Sequence, residues 1–282
     1  MRRYGALNSM QGCPPSTHFK HKTSVRLYLR YCRHILEQTR YDCYIWRIVI
    51  RKIDYQALAK GKHMAKIIIF GAGDIARLAH YYFTHDSIHE VVAFAVDKQY
   101  RQADTFLGLP LLSFENVVQT HPPESCQMFI ALSYNKMNKS RAAKYYAAKE
   151  LGYTLTSYVS SRCSYLTDYP VGDNCFILED NTIQPFVQIG NDVTLWSGNH
   201  IGHDSIIEDH VFIASQIVVS GHVHIHPYCF IGVNATLRNS INIATETLVG
   251  AGAIIMKDTI EKGVYLPQRA ELFNKKSHEI EI

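Results

Sequence analysis

From residue 171 to residue 258 the chain repeats a hydrophobic pattern every six residues. Divided from Cys175, the blocks read CFILED, NTIQPF, VQIGND, VTLWSG, NHIGHD, SIIEDH, VFIASQ, IVVSGH, VHIHPY, CFIGVN, ATLRNS, INIATE, TLVGAG and AIIMKD. The third position is branched and apolar throughout, from Ile177 to Ile255, and the first is often apolar or small, as at Cys175, Val187 and Val211. Helical periodicity would scatter those residues around a cylinder, and simple alternation would not restore the same class at every sixth position. Each block therefore predicts a short strand that turns a corner, three blocks make one triangular coil, and residues 18 apart stack at the strand spacing of about 4.8 Å. An uninterrupted run of this kind predicts a parallel β-helix. Its hand is not contained in the spacing.

Upstream the pattern changes. Residues 66–70 (KIIIF) form a continuous apolar run, followed at once by GAGDIA and a helical pattern through Ala79 and Tyr82. Strand, glycine turn and helix in that order are the setting in which G-x-G-x-x-A has physical meaning. Gly71 and Gly73 let a ligand phosphate approach the backbone, and the helix N-terminus offers N–H groups and a positive dipole end. A second strand, 91–96, ends in Asp97 at the sheet's carboxyl edge, where a ribose or base would donate to it. A third strand, 127–132, leads through Asn135 into a helix over 139–151 that stops at Gly152. This is a small Rossmann-like domain, half of a dinucleotide fold, and it favours a mononucleotide-type ligand such as a nucleotide-linked sugar over hydride transfer.

The predicted organisation is a leader at 1–63, the α/β domain at 64–160, the β-helix at 161–270 and a tail at 271–282. Charge separates the leader from the rest: residues 1–63 hold 13 Lys and Arg against 3 Asp and Glu, whereas the remainder carries 16 against 22. Residues 24–60 suit a basic amphipathic helix for an acidic membrane surface or a partner. The alternative is that Met64 begins the functional protein and the leader is dispensable. No membrane span or secretory signal is visible, and seven scattered cysteines without a CxxC pair suit reduced thiols, so a cytoplasmic location is expected. No nucleic-acid partner is expected.

The segments IGHDSIIEDHVFIAS, SGHVHIHPYCFIGVNATL and LVGAGAIIMKD resemble the hexapeptide-repeat acyltransferases. With the preceding KIIIFGAG domain, the chain is similar to the sialic acid O-acetyltransferase type and, in plan, to bacterial N-acetyltransferases acting on nucleotide-linked aminosugars. The resemblance implies a left-handed β-helix, a homotrimer with active sites between subunits, acetyl-CoA as cosubstrate without a metal, and a role in surface polysaccharide or glycan biosynthesis. It carries the general base onto His203, followed by the acidic Asp204. One coil later Gly221 stands above His203, leaving room for a thioester, and His222 stands above Asp204, whose carboxylate would fix that imidazole's orientation. A second histidine is common nine residues after the base; Phe212 occupies that position here, and His210 is the nearest substitute. Coenzyme A contacts map to Gly221, Val233, Gly250 and Ala251, and sugar-nucleotide contacts to Gly71, Gly73 and Asp97, with Asn135 expected as a further substrate contact at the same carboxyl edge.

Two other classes were open on the residues. Left-handed β-helix trimers include zinc carbonic anhydrases, which pair two histidines five apart with a third upstream. Here His222, His224 and His226 are two and four apart, so a metal-dependent reaction is not expected. A non-catalytic trimeric scaffold would leave the glycine-turn domain unexplained. The expected reaction is acetyl transfer to the amine of a nucleotide-linked deoxy-aminosugar, with sugar O-acetylation by the same site as the alternative.

Overall fold

The computed structural model describes residues 64–280. The basic leader, with the helix expected over 24–60, lies outside the described residues. From Lys66 the chain forms β1 (Lys66–Phe70), α1 (Asp74–His85), β2 (Glu90–Val96), β3 (Thr105–Phe106), β4 (Leu109–Ser113), α2 (Val117–Thr120), β5 (Cys126–Ile130) and α3 (Lys139–Glu150). The sheet order is β3-β4-β2-β1-β5; every pairing is parallel except β3 with β4.

Continuous apolar runs in β1, β2 and β5 follow from burial on both faces. Ile67, Ile69, Phe94 and Phe129 pack with Ala76, Ala79 and Phe83 of α1 on one side. Ile68, Phe70, Ala95, Met128 and Ile130 pack with Tyr145 and Ala148 of α3 on the other. Two findings differ from expectation. The third core strand ends at Ile130 rather than 132, and a hairpin, β3–β4, occupies the edge. Its second strand carries Pro110, which lowers the strand signal in a sequence reading, and it turns at Gly108, whose φ is +79°.

Coil pairing begins at Tyr158–Val159, which pairs in parallel with Phe176–Ile177. Three sheets then rise side by side. One stacks Phe176–Ile177, Thr194–Leu195, Phe212–Ile213, Phe230–Ile231 and Leu248–Val249. The second stacks Thr182–Ile183, His200–Ile201, Val218–Val219, Thr236–Leu237 and Ile254–Ile255. The third stacks Gln188–Ile189, Ile206–Ile207, His224–Ile225 and Asn242–Ile243. Every one of these pairings is 18 residues in register, and the third residue of each block points into one apolar core. Each such side chain contributes about 1.5–3 kcal/mol through its removal from water. The short parallel strands in three sheets fit the expected left-handed β-helix.

The corners share one backbone device. The residue that closes a block has a positive φ at every sixth position from Asn174 to Gly252, though not at Asp258, which closes the last block. Only two of the fourteen are glycines, so the remainder accept a conformation that costs an L-residue about 1–2 kcal/mol. The stacked hydrogen bonds around them offset it.

Side-chain bonds join the α/β domain to the coils. Arg141 on α3 is 2% exposed; its Nε donates to Asp192 Oδ1 at 3.0 Å and its Nη2 to the Asp192 carbonyl at 2.8 Å. Asn174 closes the end of edge strand β5: its Oδ1 accepts the Ile130 N–H at 2.7 Å, and its Nδ2 donates to Asp192 Oδ1 at 2.7 Å. After β5 the chain runs through Lys136, Met137 and Asn138, all with positive φ. Asn138 is fully buried and donates to the carbonyls of Tyr228 and Cys229, pinning that turn to a coil corner.

Candidate active site

His203 stands at the corner between His200–Ile201 and Ile206–Ile207. Its backbone N–H is fixed by Gln184 Oε1 at 2.9 Å, one coil below. Its Nδ1 lies 2.8 Å from Asp204 Oδ2. Facing a carboxylate, Nδ1 is assigned as the donor, which in a neutral ring places the lone pair on Nε2. Nε2 points at Gly221: a Cβ built there would lie 2.8 Å from Nε2 and 3.0 Å from Cε1. The missing side chain is what leaves the basic nitrogen open. With the side chains 52% and 42% exposed, the pair faces solvent.

His222 sits one coil above Asp204. Its Nε2 is 4.0 Å from Asp204 Oδ2, and its ring meets that of His203 edge to face at 5.0 Å between centroids. Asp204 therefore lies between two imidazoles. Its positive φ is the ordinary corner conformation of the coils and is no mark of function. Sequence reasoning missed two neighbours. Gln184 fixes the His203 backbone, and Asn239 Oδ1 comes within 3.2 Å of the Gly221 Cβ position. The 18-residue register gives the signal for Asn239, which stands two coils above His203.

The residues expected to contact coenzyme A fall on two edges. Gly221 belongs to the His203 edge. Val233 and Gly250-Ala251 belong to the next edge, beyond the face formed by His200, Val218, Thr236 and Ile254. Val233 is half-exposed and the Gly252 N–H donates to its carbonyl at 2.8 Å. At Gly250 a Cβ would press on Leu266 at 3.1 Å and Pro267 at 3.2 Å, so packing alone accounts for that glycine.

In the α/β domain a cleft of about 750 Å³ opens at the carboxyl edge of the sheet, and Gly71, Asp97 and Asn135 line it. Gly71 is required by the backbone: its φ is +128°, and a Cβ would meet the Ala131 carbonyl oxygen at 2.8 Å. Gly73 precedes α1 and does not line the cleft; a Cβ there would meet nothing within 4 Å. Asp97 is ion-paired with Lys144 on α3, and that ammonium also lies over the rings of Phe70 and Phe114 at 5.2 and 4.8 Å. Lys144 is thus a cation in the cleft wall that strand-end reasoning missed. Ser140 and Lys144, four apart on one helix face, both line the cleft.

His210 is not at the His203 edge. It is buried at a different corner, with Nδ1 2.8 Å from Asp192 Oδ2 and Nε2 2.9 Å from the Tyr146 hydroxyl. Both ring nitrogens serve the junction between α3 and the coils, which leaves none for a substrate. Among the described residues no helix is long and apolar enough to cross a membrane.

No protein-family model matches the chain. By sequence, it is 32% identical over 95 residues to an acyl-[acyl-carrier-protein]–UDP-N-acetylglucosamine O-acyltransferase of Pseudomonas savastanoi pv. phaseolicola, a match covering 31% of this chain and 37% of that one. The chain thus spans about a third of the length of the curated relatives it matches. By structure, it is similar to the acetyltransferase domain of PglB from Neisseria gonorrhoeae in complex with acetyl coenzyme A (TM-score 0.63, 18% identity, 73% of this chain and 97% of that one). It is also similar to a variant of perosamine N-acetyltransferase from Caulobacter crescentus in complex with CoA and GDP-perosamine (TM-score 0.63, 17% identity, 73% and 95%). WeeI from Acinetobacter baumannii is similar at TM-score 0.59 and 20% identity, over 72% and 94%. Each likeness spans more of the chain than the coils alone.

Proposed function

We propose that the chain transfers an acetyl group from acetyl-CoA to the amine of a nucleotide-linked deoxy-aminosugar. The observation that carries this reading is the His203 geometry: Nδ1 held by Asp204, and Nε2 free beneath the notch at Gly221. The α/β domain is read as Rossmann-like, with the nucleotide in the cleft beside Asp97, Asn135 and Lys144. The acyl donor lies along the face bounded by Gly221 and by Val233 and Ala251. The similar perosamine N-acetyltransferase was solved with CoA and a nucleotide-linked sugar, which supports this pairing of ligands.

In the reaction the amine nitrogen attacks the thioester carbonyl carbon, and the new C–N bond forms as the carbonyl oxygen takes up charge. His203 Nε2 accepts the proton shed by the nitrogen; Asp204 holds the ring's tautomer and stabilises the imidazolium. The C–S bond then breaks, and the departing thiolate recovers a proton from His203. Val218, Val233, Ile254 and Met256 are exposed apolar side chains on or beside this face, and they support a trimer in which a neighbouring copy closes the groove. Use of acetyl-CoA favours a cytoplasmic setting, and surface polysaccharide biosynthesis is the matching context.

The test is His203→Ala assayed with acetyl-CoA and a panel of nucleotide-aminosugars, following thiol release. A loss of roughly 10²–10⁴-fold in kcat/KM is expected from removal of a general base; wild-type turnover by the variant would sink the assignment. The sequence likeness to O-acyltransferases favours a second reading, transfer to a sugar hydroxyl. Amine transfer should partly recover in His203→Ala at high pH, where the amine is already deprotonated, whereas hydroxyl transfer should not.

A further inference from the structure

A second group of titratable side chains lies on a different part of the coil surface, and acyl transfer does not use it. His224 begins the short strand His224–Ile225 and His226 follows it directly, so the two flank the inward Ile225 and project outward. Glu208 stands 18 residues before His226 and therefore lies one coil beneath it. His224 Nε2 and His226 Nδ1 converge on a single carboxylate oxygen, Glu208 Oε1, the second at 3.2 Å. One ligand atom from each of the three side chains falls within 4.8 Å of the other two. All three side chains are half-buried, and the strand beneath the histidines is locked by the His224 and His226 N–H groups donating to Ile241 and Ile243.

We propose that Glu208, His224 and His226 form a binding site for a divalent transition-metal ion of the zinc class. Two imidazole nitrogens and one carboxylate oxygen are the donor set that zinc accepts when it keeps a fourth position open. Ligand atoms around a tetrahedral zinc ion sit roughly 3.4 Å apart at bond lengths of about 2.0–2.2 Å. The His226–Glu208 pair already has that separation, and the rings, stacked at 4.1 Å, reach the rest by turning about their half-exposed side-chain torsions. With neutral imidazoles the cluster carries one negative charge, which favours a dication. A hollow of about 350 Å³, walled by Glu208, Asp209, Gln188 and Pro227, opens on the Glu208 side of the cluster.

Histidine spacing argued against a metal because no pair between His200 and His226 lies five apart. That argument follows sequence, whereas this site is assembled across the 18-residue stack. The proposal does not depend on the acyl-transfer reading. The experiment is equilibrium competition for Zn²⁺ alone between the full chain and a chromophoric chelator, at about pH 7.5 and about pH 5.5, either side of the imidazole range. At the higher pH the wild-type chain is expected to bind one equivalent more, at about micromolar affinity or tighter, than the His224→Ala/His226→Ala variant. Glu208→Gln should weaken that equivalent by more than the ~10–100-fold typical of losing an outer-sphere partner. At the lower pH, protonated imidazoles should release it. His222→Ala, which alters the other histidine cluster, should keep it. Circular dichroism and thermal melting check that each variant is folded. The proposal is overturned if the double variant binds as much zinc as the wild type, if the equivalent disappears in His222→Ala instead, or if no equivalent binds near micromolar concentration.

Discussion

Two neighbouring glycines face obstacles of different kinds. A Cβ on Gly202 would meet the Gly221 nitrogen and the Ser220 carbonyl carbon at 2.5 Å, both backbone atoms that cannot yield. Gly202→Ala should therefore cost stability, by about 1–3 kcal/mol as in other overpacked sites. On Gly221 the obstacle is the far end of the His203 ring, which can turn away. Gly221→Ala is expected to keep its melting temperature while kcat/KM falls roughly 10–100-fold, because the turned ring loses its bond to Asp204 and its aim. Equal activity in Gly221→Ala would show that the notch is not where the reaction occurs. The positions of Gly221 and His222 over His203 and Asp204 were legible because the coil converts sequence distance into contact. The roles of Gln184 and Asn239 were not, since they depend on which rotamer each side chain adopts. His210 misled for a related reason: its place in the chain is near the base, but its corner faces α3.

At the scale of elements, α3 is held to the coils by a charge cluster that water does not reach. Arg141, Asp192 and His210 are buried together, and Asn138 and Asn174 complete their hydrogen bonds. Removing one partner from a buried pair typically costs about 3–5 kcal/mol, because the other charge is left uncompensated. Arg141→Ala should lower the denaturation free energy by that amount, measured by urea unfolding with the m-value compared. A change within a few tenths of a kcal/mol would mean that the cluster is solvated in the native protein. Nothing in the local sequence marks this pairing, since Arg141 lies in an ordinary helical run and Asp192 closes an ordinary hexad. The coils themselves were far more legible, though they start earlier than the expected boundary near residue 161. The blocks SYVSSR, CSYLTD and YPVGDN continue the register, and Val159, Tyr165 and Val171 pack against the core as third residues. An aromatic residue among aliphatic ones, and polar neighbours, dimmed the pattern there. The β3–β4 hairpin was obscured by Pro110 in the same way.

Over the whole molecule, tyrosines tie the parts together and set a limit at high pH. The Tyr82 hydroxyl donates to Glu179 Oε2 at 2.7 Å and the Tyr158 hydroxyl to Asp86 Oδ2 at 2.6 Å, each between the α/β domain and the coils. Burial first, and then the Glu179 carboxylate, push the Tyr82 phenol up to about 12; burial alone pushes Tyr158 upward by more than any other cause. A folded pKa raised above the unfolded value of about 10 gives stability that is complete below pH 10 and lost as pH rises toward the folded value. Phenolate absorbance should therefore show these tyrosines ionising only as circular dichroism reports unfolding, above pH 10; ionisation of buried tyrosines in a still-folded chain at about pH 10 would contradict it.

The last coil is two residues short, with Val264–Tyr265 pairing Leu248–Val249 only 16 residues earlier. In place of a further strand, Asp258 Oδ1 accepts the Asn242 N–H at 2.8 Å and Thr259 Oγ1 accepts the Ala244 N–H at 2.7 Å. The Asn242 N–H, and then its side-chain amide, hold the Asp258 carboxyl below its ordinary range, so the cap persists into mild acid and is lost only as pH falls through that lowered value. A rod of identical rungs has no intrinsic length. Left open, its terminal rung would invite another chain to add on, rung after rung, as fibres grow. At this strand Asp258 and Thr259 take up the hydrogen-bonding positions that a further rung would use.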